Sequence, residues 1–505
     1  MYYYKKVFIG LFYLEWGDFL NYKNDLSSAV FFYNQGMFDT AHSILKKILL
    51  EQPNSFNALH LTALVFRKMG NYEKSIELFN KIIISNPFHA ESINNLASVY
   101  WDIGELKLAE SYYLKAIEVD NCFADAFHNL ANLQIALGDH LSAESNLYKA
   151  ISHDSSKLEY YFSLGLLLSE LGRFDEALKC QNKVLGLTSV NTNIYFQIFN
   201  NFMYMHRYQD ALEFADLAIV GRKLDDLQLC ELLIGKAIIF WLFDNEEEGL
   251  LAINLSEAIN TILPHENSNN SNLKNNQVFH GFLKKLFQYR RFNPILYEKN
   301  EKSTIYFISE SHSFSANGVT VDYNNSLHTI KSLLITGAKI FHLVQSEANK
   351  SKSSLDILLK GLPAKSTVVI GFGEIDCRIN EGIFKYCVKY NKNPKLIIIE
   401  MIEKYIEMLK LAADENECSL IIYGVPSPHP HTFEGFKEED IEEFKLLVSN
   451  FNSQLSFLCE TNNIPFLDIY KITNLKGVSN LIYHIDTNHV EPKVIPELFK
   501  RLVEA

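Results

Sequence analysis

The stretch Thr304-Ile-Tyr-Phe-Ile-Ser-Glu-Ser-His-Ser-Phe-Ser315 passes from four apolar residues, Ile305 to Ile308, into a run of hydroxyl and titratable side chains. The apolar part reads as a buried parallel strand, and open α/β sheets bind ligands just past the carboxyl ends of their strands. A serine there needs a base beside it, because a free hydroxyl is a poor nucleophile at neutral pH. A base is available near the C-terminus, in His484-Ile-Asp-Thr-Asn-His-Val-Glu-Pro492. Asp486 stands three residues before His489, a spacing that lets the carboxylate reach the imidazole and hold one tautomer. The plainer readings are a serine-rich turn in the first stretch and, in the second, an Asp capping the last helix with a His packed on it. Between the two lies Gly371-Phe-Gly-Glu-Ile-Asp-Cys-Arg378, which crowds Glu374, Asp376 and Arg378 at one strand end. Arg378 can bind an anionic group, or Asp376 and Arg378 can simply pair with each other. Val425-Pro-Ser-Pro-His-Pro-His-Thr432 forms a proline-stiffened loop whose His429 and His431 can line the mouth of such a site. No third metal ligand is evident there, so neither a metal nor a cofactor is expected. Cys377 reads as a small buried hydrophobe.

The elements that must position these groups alternate. Ser332–Thr336 is a short apolar run before Gly337, and Ser366–Gly371 and Ser419–Val425 read as strands. Leu396–Ala413 and Glu438–Asn463 read as helices, Ile464–Tyr470 as a last strand and Val494–Val503 as a final helix. Strands separated by helices of this length imply a parallel sheet covered on both faces.

The preceding half is built differently. Gly36, Gly70, Gly104, Gly138 and Gly172 are each 34 residues apart, and His206 continues the ladder without a glycine. Five residues after each rung stands a small side chain: Ala41, Ser75, Ala109, Ala143, Ala177 and Ala211. Small residues let paired helices approach closely, and one such unit cannot bury its own apolar face, so several must stack. The pattern resembles the tetratricopeptide repeat, a 34-residue helix–turn–helix unit. That resemblance implies a superhelix whose groove is lined by the first helix of each unit. By position Asn57, His60, Arg67, Asn94, Trp101, His128 and Asn132 would face the groove and take a protein, peptide or glycan; the alternative is a solvated helix face. Leu232–Ile259 reads as a degenerate seventh unit or a capping pair.

A serine after the first strand and an Asp-x-x-His before the last helix resemble the SGNH, or GDSL-type, hydrolase family. The resemblance covers residues 303–505 and implies a flavodoxin-like α/β/α domain. It further implies Ser311 as nucleophile, His489 as base and Asp486 as its orienter. The oxyanion hole it implies is formed by the backbone N–H groups of Ser311 and Gly337, with Gly373 at the third position. Gly373 or Ile375, depending on alignment, replaces the Asn of the family's third motif, and Ser309-Glu-Ser311 replaces Gly-Asp-Ser. The absent Asn matters, because loss of one oxyanion donor costs roughly 100- to 1000-fold in turnover. Arg378, Glu374, Asp376 and His312 are the expected substrate-binding residues. Family members act on O-acyl groups of glycans, on lipids and on thioesters; the polar, Asn- and His-rich surfaces here favour the first.

The expected organisation is therefore multidomain. A capping helix (1–22) precedes an all-α repeat superhelix (23–260), a linker with a packing helix (261–302) and the α/β/α domain (303–505). If the segment around Asn269 is flexible the array is a tether; if Val278–Phe292 docks the halves together, the repeat groove forms part of the substrate site. A net charge of −13 argues against a nucleic-acid binder. Seven cysteines without a C-x-x-C pair fit a reducing, cytoplasmic setting. The apolar run Val7–Leu14 is short for a signal peptide, and no stretch has the ~20 apolar residues that a membrane span needs. Two functions follow: a serine esterase or O-acyltransferase carried on repeats that recruit a partner or substrate, or a repeat scaffold with an inactive hydrolase-like domain.

Overall fold

The computed structural model describes residues 26–187, 193–221, 224–260, 271–298 and 303–504. The expected capping helix and the segment around Asn269 lie outside them. The chain forms two compact units, one up to Leu167 and one from Leu168 onward.

The first unit is all helical. Its antiparallel pairs are α1 (Leu26–Asn34) with α2 (Phe38–Glu51), α3 (Phe56–Lys68) with α4 (Tyr72–Ser85), α5 (Ala90–Asp102) with α6 (Leu106–Val119), and α7 (Ala124–Leu137) with α8 (His140–His153). Helix α9 (Leu158–Glu170) crosses into the second unit. Each pair turns on a residue in the left-handed region: Gly36, Gly70, Gly104 and Gly138 have φ between 72° and 85°. Glycine adopts that conformation without the steric penalty a side chain pays. The small side chains five residues on, Ala41, Ser75, Ala109 and Ala143, are fully buried where the helices cross.

The second unit joins the rest of the helical array to the sheet. Helices α10 (Phe174–Leu187), α11 (Asn193–Tyr204), α12 (Tyr208–Val220), α13 (Asp226–Leu242), α14 (Glu246–Asn260) and α15 (Ser271–Phe292) come first. His206 keeps the turn geometry of the missing glycine, with φ 56°, and is held there by Tyr208 Oη and by Ser354 Oγ at 3.0 and 2.8 Å.

The sheet contains β1 (Thr304–Ser309), β2 (Thr320–Tyr323), β3 (Ser326–Leu334), β4 (Thr367–Gly371), β5 (Ser419–Tyr423) and β6 (Phe466–Leu467), in the order β2-β3-β1-β4-β5-β6. All neighbours are parallel except β2, which is an antiparallel edge strand against β3. Without that edge strand the order is that of doubly wound flavodoxin-like sheets, and the strand order reverses at β1. The hairpin has no counterpart in the sequence reading, which placed a strand only at Ser332–Thr336; β3 starts six residues earlier because Leu327, His328 and Thr329 pair with β2. The expected strand over Ile464–Tyr470 is reduced to two residues, and Ile469–Thr473 is helical instead.

Helices α16 (Ile340–Leu343), α17 (Lys350–Gly361), α18 (Gly382–Tyr390), α19 (Pro394–Glu415), α20 (Glu438–Thr461), α21 (Ile469–Thr473) and α22 (Val494–Glu504) complete the domain. Alternate residues of β1 face opposite layers, as a parallel sheet buried on both faces requires. Ile308 packs with α17, α19 and α20, whereas Ile305 and Phe307 pack with α22.

Candidate active site

The chain leaves β1 at Ser309, whose hydroxyl donates to the Gly371 carbonyl at the end of β4, and enters a buried 3-10 turn, Ser311–Ala316. This is the point where the strand order reverses, so the turn opens into the crevice that the topology creates. At the other end of the domain, the loop before α22 brings His489 to the same place. Ser311 Oγ lies 2.8 Å from His489 Nε2, and His489 Nδ1 lies 2.9 and 2.8 Å from the two carboxylate oxygens of Asp486. Because Nδ1 faces a carboxylate, it carries the proton, and Nε2 is left to accept the Ser311 hydroxyl. Asp486 also accepts the backbone N–H groups of Asn488 and His489 at 2.8 and 2.7 Å. Burial pushes its carboxyl up, but the His489 ring and these donors outweigh that and hold it far below the usual range.

A second pair lies beside the first. His312 Nδ1 is 2.8 Å from a Glu310 carboxylate oxygen, and its Nε2 is 2.7 Å from the Asn488 carbonyl. Both ring nitrogens face acceptors, so both carry protons and the ring is an imidazolium. Burial alone would pull His312 down; the Glu310 charge and hydrogen bond overcome it and raise it to about 9. Glu310, likewise pushed up by burial, is held ionised by His312 and brought down to about 2. The Ser311 hydroxyl also lies 3.1 Å from Glu310 Oε2, so its one proton has two possible acceptors.

The remaining expected residues divide. Gly337, with φ 65° and open space where a Cβ would point, lines a cavity of about 400 Å³ together with Ser311, Arg378, Asn488 and His489. Gly373 is not among the lining residues; a Cβ there would meet the Phe451 ring at 2.8 Å. Arg378 pairs with Glu374 at 2.8 Å and with Glu381 at 3.1 Å, which corrects the alternative pairing with Asp376. Asp376 instead accepts the backbone N–H groups of Ile340 and Phe341 at the start of α16, and burial raises its carboxyl to about 6. It lines a separate cavity of about 850 Å³ beside α18 and α19. Cys377 is buried, and burial raises its thiol. Among the described residues Glu310, His312 and Glu374 bring potential metal-ligand atoms within 4.8 Å of one another, but His312 has both nitrogens protonated and no lone pair to give.

Three features of the site go beyond what the sequence specifies. Phe282 of α15 stacks on His489 with ring centroids 3.6 Å apart and planes 7° apart. Asn488 serves both pairs, its N–H to Asp486 and its carbonyl to His312. The helices are bonded to the site turn itself: Trp241 Nε1 donates to the Phe314 carbonyl at 3.1 Å, and Asn317 Nδ2 donates to the Trp241 carbonyl at 2.8 Å. Arg290 of α15 stacks on Trp241 at 4.0 Å and donates to the Asn317 carbonyl at 2.7 Å. Helix α15, part of which is Val278–Phe292, thus docks onto the α/β layers. Of these features only Trp241 and Arg290 stood out as residue types; which surfaces they meet is a matter of long-range packing.

In the first unit the expected groove residues form hydrogen-bonded ladders from one repeat to the next. Asn129 donates to Asn94 at 3.0 Å, His128 meets Ser163 at 2.9 Å and Asn132 at 3.1 Å, and Arg67 pairs with Asp102 at 2.6 Å. His60 is buried and contacts Ser92 and Asn95, Trp101 is half-buried and Asn57 is exposed.

Tetratricopeptide-repeat models match residues 57–89, 90–121 and 158–191, so the N-terminal region carries such repeats. Among solved structures, MamA is 28% identical, over 32% of this chain and 94% of that one, with a TM-score of 0.27. YrrB, described as a repeat protein with an unusual peptide-binding site, is 22% identical over 36% of this chain and 91% of its own, with a TM-score of 0.32. A repeat protein from Parabacteroides merdae is 15% identical over 50% of this chain and 96% of its own, with a TM-score of 0.36. No curated protein matches the chain. No described helix is long and apolar enough to cross a membrane.

Proposed function

We propose that the second unit is a serine esterase or O-acyltransferase of the SGNH type, with Ser311, His489 and Asp486 as its triad. The observation that carries this reading is the unbroken hydrogen-bond chain Ser311 Oγ–His489–Asp486 at the carboxyl end of β1. Ser311 Oγ attacks the ester carbonyl carbon and passes its proton to His489 Nε2. The oxyanion is held by the backbone N–H groups of Ser311 and Gly337. Collapse breaks the carbon–oxygen bond, and the alcohol leaves with the proton from His489. Water or a sugar hydroxyl then attacks the acyl-enzyme, giving its proton to His489, and Ser311 is released as the hydroxyl.

Fluorophosphonate labelling tests the reading. Wild-type protein is expected to be labelled and Ser311→Ala not; absence of labelling in both overturns it. A second reading, a repeat scaffold with an inactive domain, draws on the 3.1 Å contact from Ser311 to Glu310 and on the absent family Asn. Under it the serine hydroxyl rests on the carboxylate and is never activated.

The repeats of the first unit are proposed to hold a peptide along their polar ladders. Joint replacement of Asn94, Trp101 and His128 by alanine is expected to weaken capture of a bound peptide at least 10-fold, with the helical melt monitored alongside. Unchanged capture by a folded variant removes that role from the groove.

A further inference from the structure

The cavity that Ser311 opens into is lined mostly by the helical array. Phe199 and Met203 of α11, Ile234 and Ile238 of α13 and Phe279 of α15 join Ser311, Gly337 and His489 around its volume of about 400 Å³. We infer that this helical surface is an acyl-binding chamber, and that the substrate is an ester of a medium-length aliphatic acid on a polar alcohol. The inference rests on Ser311 being the nucleophile.

The argument is one of reach and polarity. A carbonyl carbon attacked by Ser311 Oγ sits about 3 Å from it, so one substituent of that carbon must lie in the space Ser311 lines. On the helical side that space is walled by Phe196, Phe199, Met203, Ile234, Ile238 and Phe279, with Asn200 and Glu231 the polar groups among them. A neighbouring cavity of about 380 Å³ shares Arg378 and Asn488 with it; Glu374, Ser427, His429, His431, Glu434 and His484 line it, with Val425, Phe444 and Val448 on its apolar side. Ser427 is buried there, and its hydroxyl has no hydrogen-bond partner. Ser311 lines the first cavity and not the second. The apolar helical wall of the first chamber therefore suits the acyl chain, and the imidazole and carboxylate groups of the second suit the hydroxylated leaving group. The close approach of α13 to α11 that shapes the chamber depends on Gly235, where a Cβ would fall 2.4 Å from the Phe199 ring.

A series of p-nitrophenyl esters on the full chain tests this. From acetate to hexanoate kcat/KM is expected to rise about 4-fold per methylene. The gain should end before dodecanoate, because the volume is at the low end of small-molecule pockets. Ile238→Trp, which fills the chamber, should lower the hexanoate-to-acetate ratio at least 10-fold. Phe279→Ala, which enlarges it, should move the optimum to longer chains. Opposite shifts from two variants cannot come from misfolding. A flat profile in a wild type that labels with fluorophosphonate, or equal losses on all esters in both variants, overturns the chamber while leaving the nucleophile in place. A wild type that does not label overturns both.

Discussion

Replacing His489 by alanine is expected to lower ester turnover by roughly 10⁴- to 10⁶-fold, the scale on which catalytic triads fail when the base is lost. Among the described residues His489 is the side chain placed to take the Ser311 proton through a neutral nitrogen: the neighbouring His312 has both nitrogens turned to acceptors and is already charged. Asp486→Asn is expected to cost roughly 10⁴-fold, because an amide can turn its NH₂ toward Nδ1 and favour the wrong tautomer. The two losses should not add, since both remove the same proton path. Single-turnover kinetics with a p-nitrophenyl ester measure this. Turnover of His489→Ala within 10-fold of wild type would exclude the triad.

Glu310→Gln is expected to destabilise the second unit by about 3 kcal/mol near neutral pH, the lower end of the cost of leaving a buried charge without its partner. The effect has a definite pH signature. The folded His312 is raised from 6.5 to about 9, so the stability it contributes is fully present below pH 6.5 and is lost as the pH rises through about 9. Wild type should therefore lose stability between neutral pH and pH 10, by an amount on the order of 3 kcal/mol for a shift of this size. In Glu310→Gln the His312 ring has no carboxylate to hold its proton, and that alkaline loss should disappear. Denaturant titrations at pH 6, 8 and 10 measure both curves; parallel curves would show that the pair carries no such energy. The fixed positive charge of His312 lies 5.0 Å, ring to ring, from His489, and the fixed negative charge of Glu310 is 3.1 Å from Ser311 Oγ.

What could be read from the sequence was what short-range chemistry dictates. The 34-residue ladder was legible because each rung answers a local demand: a left-handed residue at the turn and a small side chain at the helix crossing. The alternation of strands and helices after residue 303 was legible for the same reason, and so were the residue types at the ends of β1 and before α22. The antiparallel edge strand β2 was not, because Thr320–Tyr323 and its turn at Asn324 and Asn325 carry too little apolar periodicity to announce a strand; pairing with β3 makes it one. Tertiary structure alone decided which partners meet. It set Ser311 against His489, 178 residues away, and Phe282 against the same imidazole. It committed Asp376 to a helix start and Glu310 to His312, although the two carboxylates look alike in the sequence. It also joined α10–α15 to the sheet as one compact unit and turned apolar residues of α11, α13 and α15 toward Ser311. The physical reason is that an apolar helix face specifies only that it must be buried. Which surface buries it depends on shape complementarity across the whole fold, and no local pattern encodes that.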